Sequence, residues 1–328
     1  TIAPQITTAD TPATVATQEQ PRGTADPDFA VNISLPDRIQ PGTTILPDNH
    51  NAARPRIIEV NRQGEIVWEY ALPDNLKSFT NPGWDVEVLP NGNILTLLPR
   101  NGVYEINRNK QVVWKYLDSK VSHDADRLAN GNTLVVFGAY DAQGDAQVKE
   151  IDPAGNRVWS WYARDAFSGP EYAGISEEGW THANAVTRLM NGNTLVSLRN
   201  FNLVAEIDPQ GKLVRTIGKG LLTAQHDPAV LPDGNILVAS HGEPQTALEL
   251  DPAGNVVWYY AIEGRRSWPV RDANRLPNGN TLITASDRII EVTGDGQVAW
   301  QFRIAANVFT DPQSTASRGF YKAERTGG

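Results

Sequence analysis

Residues 225–242 read QHDPAVLPDGNILVASHG, and residues 248–260 follow with LELDPAGNVVWYY. Each stretch is a pair of short apolar runs broken by a turn signal, P-D-G-N in the first and D-P-A-G-N in the second. Period-2 alternation with a glycine where the turn requires a positive φ is the pattern of a β-hairpin. Two such hairpins in succession form one four-stranded antiparallel unit.

The unit recurs along the chain. Its first hairpin returns as LPNGN (89–93), LANGN (128–132), LMNGN (189–193), LPDGN (231–235) and LPNGN (276–280). Its second returns six times, with Trp68, Trp114, Trp159, Arg215, Trp258 and Trp300 at the matching position, 46, 45, 56, 43 and 42 residues apart. A period in the forties built from hairpins is the signature of a β-propeller, and the alternation excludes helical solenoids. The expected fold is all-β: a six-bladed β-propeller of four-stranded antiparallel blades over residues 29–302, with extended tails at 1–28 and 303–328. Only five first hairpins are clear. The inner strands of blade 1 are expected from FAVNIS (29–34) and GTTILPDN (42–49), so that ring closure joins residues 29–70 to residues 271–302. The tryptophan series is expected to stack between blades as a structural feature.

With 328 residues and 40% hydrophobic content, the chain can bury one large core. A net charge of −9 and a pI near 5.1 argue against nucleic acid or an anionic membrane surface as partner. There is no cysteine, which excludes disulfides and thiolate metal sites. No apolar run approaches the roughly 18 residues of a membrane span. The numbered chain begins at Thr1, which leads to the expectation of a mature secreted protein, extracellular or periplasmic. Residues 1–28 are rich in Thr, Ala and Pro with little to bury, and both tails are expected to dock on a neighbouring subunit of a homo-oligomer.

In a propeller the first strand of each blade lines the central channel. Counting back seven residues from the first turn reaches Trp84, His123, His226 and Arg271 in blades 2, 3, 5 and 6, and His182 holds the same strand entrance in blade 4. Three of the five histidines thus share one structural position in three consecutive blades. Arg199 and His241 end the second strands of blades 4 and 5, on the same face of the disc by the antiparallel argument. The loops 163–181 and 262–270 gather there too, the second with Arg265 and Arg266. A lone channel-facing histidine is commonly a packed or water-bound polar residue. Three at equivalent positions, with arginines gathered at the same concave spot of an acidic protein, point to a functional site.

These residues resemble those of the bacterial aryl sulfotransferases that work without a phosphoadenosine cofactor, six-bladed propellers with three histidines and an arginine at the channel mouth. The matching pieces are SHDADRL with His123, WTHANAV with His182 and Asn184, SLRN with Arg199, and QHDPAVL with His226, within a likeness spanning roughly residues 40–302. The resemblance implies that His226 is the nucleophile carrying a sulfuryl group. It implies that His123 and His182 exchange protons with phenolic oxygens, and that Arg199, helped by Asn184, binds the sulfate oxygens. His241, Arg271 and Trp84 are the further candidates for substrate contact. The implied partners are an aryl sulfate and a phenol, with neither cofactor nor metal.

Two other readings stay open at this stage. In one, the propeller is the brick of an extracellular filament or surface lattice stitched by its tails. In the other, three imidazoles hold zinc or copper, against which stands the repulsion of Arg199.

Overall fold

The computed structural model of the chain describes residues 21–262, 269–308 and 318–327. Most of the segment 1–28, and Arg265 and Arg266, lie outside the described residues. Six antiparallel sheets are arranged as blades of a propeller. The strands of blade 2 are Asp85–Val88, Ile94–Leu98, Gly102–Ile106 and Val112–Leu117. Blade 3 runs Ala125–Arg127, Thr133–Val136, Val148–Ile151 and Arg157–Trp161, and blade 4 Ala183–Arg188, Thr194–Leu198, Leu203–Ile207 and Leu213–Ile217. Blade 5 comprises His226–Val230, Ile236–Ser240, Thr246–Leu250 and Val256–Ala261, and blade 6 Val270–Arg275, Thr281–Ala285, Arg288–Val292 and Val298–Ile304. No described helix is long and apolar enough to cross a membrane.

Six apolar clusters lie between blades and close the ring. The second strands show why the sequence reads as it does. Leu195 packs toward blade 5 and Val196 toward blade 3, while Leu237 packs toward blade 6 and Val238 toward blade 4. A strand buried on both faces sends alternate side chains into two different seams, so it reads as a continuous apolar run.

Polar repeats fasten the same seams. The last Asn of each N-G-N or D-G-N turn donates to the third-strand Glu of its own blade: Asn93 to Glu105, Asn132 to Glu150, Asn193 to Glu206, Asn235 to Glu249 and Asn280 to Glu291, at 2.6 to 2.7 Å. Four of those glutamates also pair with an arginine from the inner strand of the next blade, Glu105 with Arg127, Glu150 with Arg188, Glu249 with Arg275 and Glu291 with Arg325. Each of these guanidiniums lies over the preceding blade's tryptophan, at Trp114, Trp159, Trp258 and Trp300. The tryptophans therefore act at the seams, with Trp300 fully buried and the others half-buried. Blade 4 carries Arg215 instead, which binds Glu206 of its own blade directly at 2.7 Å.

Blade 1 departs from expectation. FAVNIS is not one of its inner strands: Phe29–Ser34 pairs with Val298–Ile304 as a fifth, outermost strand of blade 6. Its alternating half-exposed pattern suits a strand covering an edge, whereas an inner strand is enclosed by its neighbours. GTTILPDN supplies the second strand of blade 1, Thr43–Asp48, followed by Arg56–Val60 and Ile66–Ala71. The innermost strand is Glu324–Thr326, from the region read as a C-terminal tail, paired Ile45 to Glu324, Thr44 to Arg325 and Thr43 to Thr326. Residues 29–34 and 318–327 thus clamp the junction of blades 6 and 1, and Phe320 is fully buried in that seam.

Candidate active site

The residues heading the inner strands are set by irregular backbone. His123 and His182 have φ of +68° and +46°, and Asp227, after His226, has +48°. Non-glycine residues rarely adopt these values, and clustered left-handed residues are a mark of functional sites. In blades 4, 5 and 6 the register with the second strand shifts between Ala183 and Ala185, His226 and Ala229, and Val270 and Asp272. Such bulges turn the heading side chains away from the regular pleat.

The histidines form two pairs. His123 and His182 have ring centroids 4.8 Å apart, with their Nε2 atoms 3.3 Å apart. His226 and His241 stack at 4.5 Å with an interplanar angle of 21°. The Tyr321 ring lies 6.0 Å from both His123 and His226 and joins the pairs, and the Arg271 guanidinium lies over that ring at 5.2 Å. Arg199 sits beside His182: its Nη1 is 3.6 Å from Glu178 Oε2, and His182 Nδ1 is 3.9 Å from the same oxygen.

Backbone carbonyls assign the tautomers. His226 Nδ1 lies 2.9 Å from Ala224 O and must carry the proton, leaving the lone pair on Nε2. His182 Nδ1 donates to Glu178 O at 3.1 Å, so its Nε2 accepts from His123 Nε2. His123 then keeps its lone pair on Nδ1, which is buried with no partner among the described residues. His241 Nε2 donates to Val270 O at 2.7 Å. Burial holds all four rings neutral. His123 and His226 titrate well below the ordinary imidazole value, through desolvation first and then neighbouring imidazoles and guanidiniums. His182 and His241 are pulled down to about 3, by desolvation first, then by Arg199 for His182 and Arg271 for His241.

Supporting contacts fix the frame. Asp141 Oδ1 accepts the His182 N–H at 3.1 Å, and its Oδ2 accepts the Thr181 hydroxyl at 2.8 Å. Gly83 packs on the His123 ring so closely that an added Cβ would stand 2.6 Å from its Cδ2. The loop 163–181 folds over an aromatic cluster of Phe167, Tyr172, Trp180 and Phe201, and carries Glu178 to the site.

Of the residues expected from the sequence, His123, His182, His226, His241, Arg199 and Arg271 gather here. Trp84 does not. Its indole is fully buried in the apolar seam between blades 1 and 2, with Ile45, Tyr70 and Ile94, and donates to Thr96 Oγ1 at 3.0 Å. Asn184 donates to Gln225 O at 2.9 Å and so braces the residue before His226. The fifth histidine, His50, lies apart. Burial opposes its charge, but the carboxylates of Asp48 and Asp28 outweigh this and raise its pKa.

Sequence reading missed Tyr321 and Lys322. Their signal is a tripeptide: Ala323-Glu324-Arg325 repeats Ala125-Asp126-Arg127 and Ala273-Asn274-Arg275, which places Tyr321 opposite His123 and Arg271 in the repeat.

A family profile described as Arylsulfotransferase (ASST) matches residues 49–220, more than half of the chain and inclusive of His123, His182 and Arg199. The chain belongs to the arylsulfotransferase family. Among curated proteins none matches it. Three solved structures show the likeness of fold. A protein of unknown function from Bacteroides caccae has 21% identity and a TM-score of 0.61 over 87% of this chain and 98% of that one. A streptogramin B lyase has 14% identity and a TM-score of 0.55 over 90% and 88%. A virginiamycin B lyase from Staphylococcus aureus, determined with quinupristin, has 11% identity and a TM-score of 0.54 over 85% and 90%. The profile ends before His226.

Proposed function

We propose that the protein transfers a sulfuryl group from an aryl sulfate to a phenolic acceptor, with His226 carrying the group between them. The observation that supports this most is the fixed tautomer of a buried, neutral His226, whose Nδ1–H is held by Ala224 O and whose Nε2 keeps its lone pair. A neutral imidazole is a nucleophile near pH 7. In the first half-reaction, Nε2 attacks sulfur, the N–S bond forms, and the S–O bond breaks with its electron pair going to the phenolic oxygen. The Ala224 carbonyl stays against Nδ1–H as the ring gains positive character.

In the second half-reaction, the acceptor phenol attacks the sulfur, the N–S bond breaks, and the phenolic proton passes to the neutral His123–His182 pair. The pair releases that proton to solvent and the leaving phenolate takes one up from solvent, which balances the cycle. The fixed charges of Arg199 and Arg271 suit sulfate oxygens whose charge redistributes during transfer.

The test uses p-nitrophenyl sulfate without acceptor. The expected result is a burst of nitrophenolate, one equivalent per chain, and a His226 peptide bearing a sulfuryl group. Replacing His226 with Ala should remove both and lower turnover with added phenol on the order of 10³-fold or more. A normal burst from that variant, or a label on another residue, overturns the reading.

A further inference from the structure

Beneath the histidines, the inner strands of blades 2, 3, 5 and 6 continue with a carboxylate, whereas blade 4 has Ala183 after His182. Asp85 follows Trp84, Asp124 follows His123, Asp227 follows His226 and Asp272 follows Arg271. Blade 1 breaks the series by placing Lys322 after Tyr321. The Lys322 ammonium lies 2.6 Å from Asp124, 3.1 Å from Asp85 and 3.2 Å from Asp227. Asp85, Asp124 and Asp272 also accept a backbone N–H from the next blade, those of Ala125, Val186 and Ala323. One cation therefore gathers the buried Asp85 and Asp124 and the partly exposed Asp227 from three blades, two of them directly following His123 and His226.

We infer that Lys322 is a positioning residue for the transfer reaction: its ammonium draws Asp124 and Asp227 to one point and thereby sets the separation of His123 and His226. This rests on the sulfuryl-transfer reading, in which those two histidines work on one sulfate. Burial opposes the charge of Lys322, but Asp124, Asp227 and Asp85 outweigh it and hold the ammonium protonated. Burial likewise raises Asp85, Asp124, Asp126 and Asp272, and lifts Glu87 to about 7 and Glu324 to about 8. Above this layer stand Arg199, Arg271 and the four neutral imidazoles, and Tyr321 lies at the boundary. Without Lys322, the buried Asp85 and Asp124 can stay beside Asp227 only while they hold protons. As the pH rises they ionise, repel one another and spread the strands that carry the histidines.

The test is the single-turnover burst with p-nitrophenyl sulfate on the full chain, from about pH 5.5 to about pH 8.5 and well below the melting temperature at each pH. Lys322→Met should approach the wild-type rate at the acid end and fall about tenfold or more at the alkaline end, as misplacement of reacting groups does. Adding Asp124→Asn and Asp227→Asn should remove that pH dependence. A Lys322→Met protein that melts earlier but keeps a burst rate within about twofold of wild type at every pH overturns the inference.

The ring C–H resonances of His123 and His226 give a readout independent of turnover. They should be flat with pH in the wild type and move in Lys322→Met; flat behaviour in both also overturns the inference. A wild type without a burst refutes the sulfuryl-transfer reading, and the resonances alone then decide the placement. Should Lys322→Met fail to fold, Asp124→Asn, which removes the negative charge closest to the ammonium, should slow the burst and shift both rings. Wild-type values for both would overturn the inference.

Discussion

At His226 a single backbone carbonyl decides the tautomer. Ala224, itself at a φ of +42°, places its oxygen to accept a hydrogen bond from Nδ1–H, and Nε2 keeps its lone pair. Burial then keeps that nitrogen unprotonated. The four clustered histidines titrate lower in the folded than in the unfolded chain, so as the pH falls through about 6.5 the unfolded chain binds protons first. Two consequences follow in opposite observables. The burst rate should stay flat down to about pH 5, while these four groups make the fold less stable over the same range. A burst rate that halves near pH 6.5 would mean that His226 titrates like an exposed imidazole. His123 and His226 were legible in the sequence because each stands seven residues before a turn, and His182 because it heads the matching strand of blade 4. The tautomers were not, since they depend on loop carbonyls whose direction no spacing encodes.

The inner strands form the next scale, where the repeat carries two functions at once. Alternate residues of a strand face opposite ways, so the glutamate of one inner strand can hold the backbone of the next. Glu87 accepts the N–H of Arg127 at 2.9 Å, and Glu324 accepts that of Val88 at 2.8 Å. Glu324 is buried among like charges, and its pKa rises to about 8, by desolvation first. A folded pKa above the unfolded one means that the unfolded chain releases its proton first, so this group costs stability as the pH rises from about 4.3 toward 8. Glu324→Gln, which keeps an acceptor for Val88, should therefore raise the melting temperature at pH 8 and change it little at pH 5. An equal change at both would mean that Glu324 is ionised throughout. The Ala-Asp-Arg and Ala-Asn-Arg tripeptides of blades 3 and 6 were open to view in the sequence. Their counterpart Ala323-Glu324-Arg325 was hidden because no N-G-N turn follows it; its strand is joined to the blade through space, by pairing with Thr43–Ile45.

Over the whole molecule, closure depends on chain segments far apart in sequence. Phe29–Ser34 caps blade 6 from outside, and residues 318–327 complete blade 1 from inside, so the ring is held at one seam by two independent pairings. Deleting residues 318–328 removes the inner strand of blade 1, the buried Phe320 and the cation among the carboxylates. Loss of the phenylalanine alone is worth about 3–5 kcal/mol. The melting temperature should fall by roughly 10 °C or more, measured by calorimetry. An unchanged melting temperature would show that the ring closes without that strand.

The sequence by itself determined the blade, the number of blades and which histidines share a position, because a hairpin is local: alternation, turn glycines and repeat length are written within some forty residues. Only the tertiary structure decided which strand begins blade 1, that Trp84 turns into a seam while Gly83 meets His123, and that Tyr321 and Lys322 stand at the centre. Those outcomes depend on which buried space and which unpaired charge a distant segment finds when the ring shuts, and such complementarity exists only once the blades are in place.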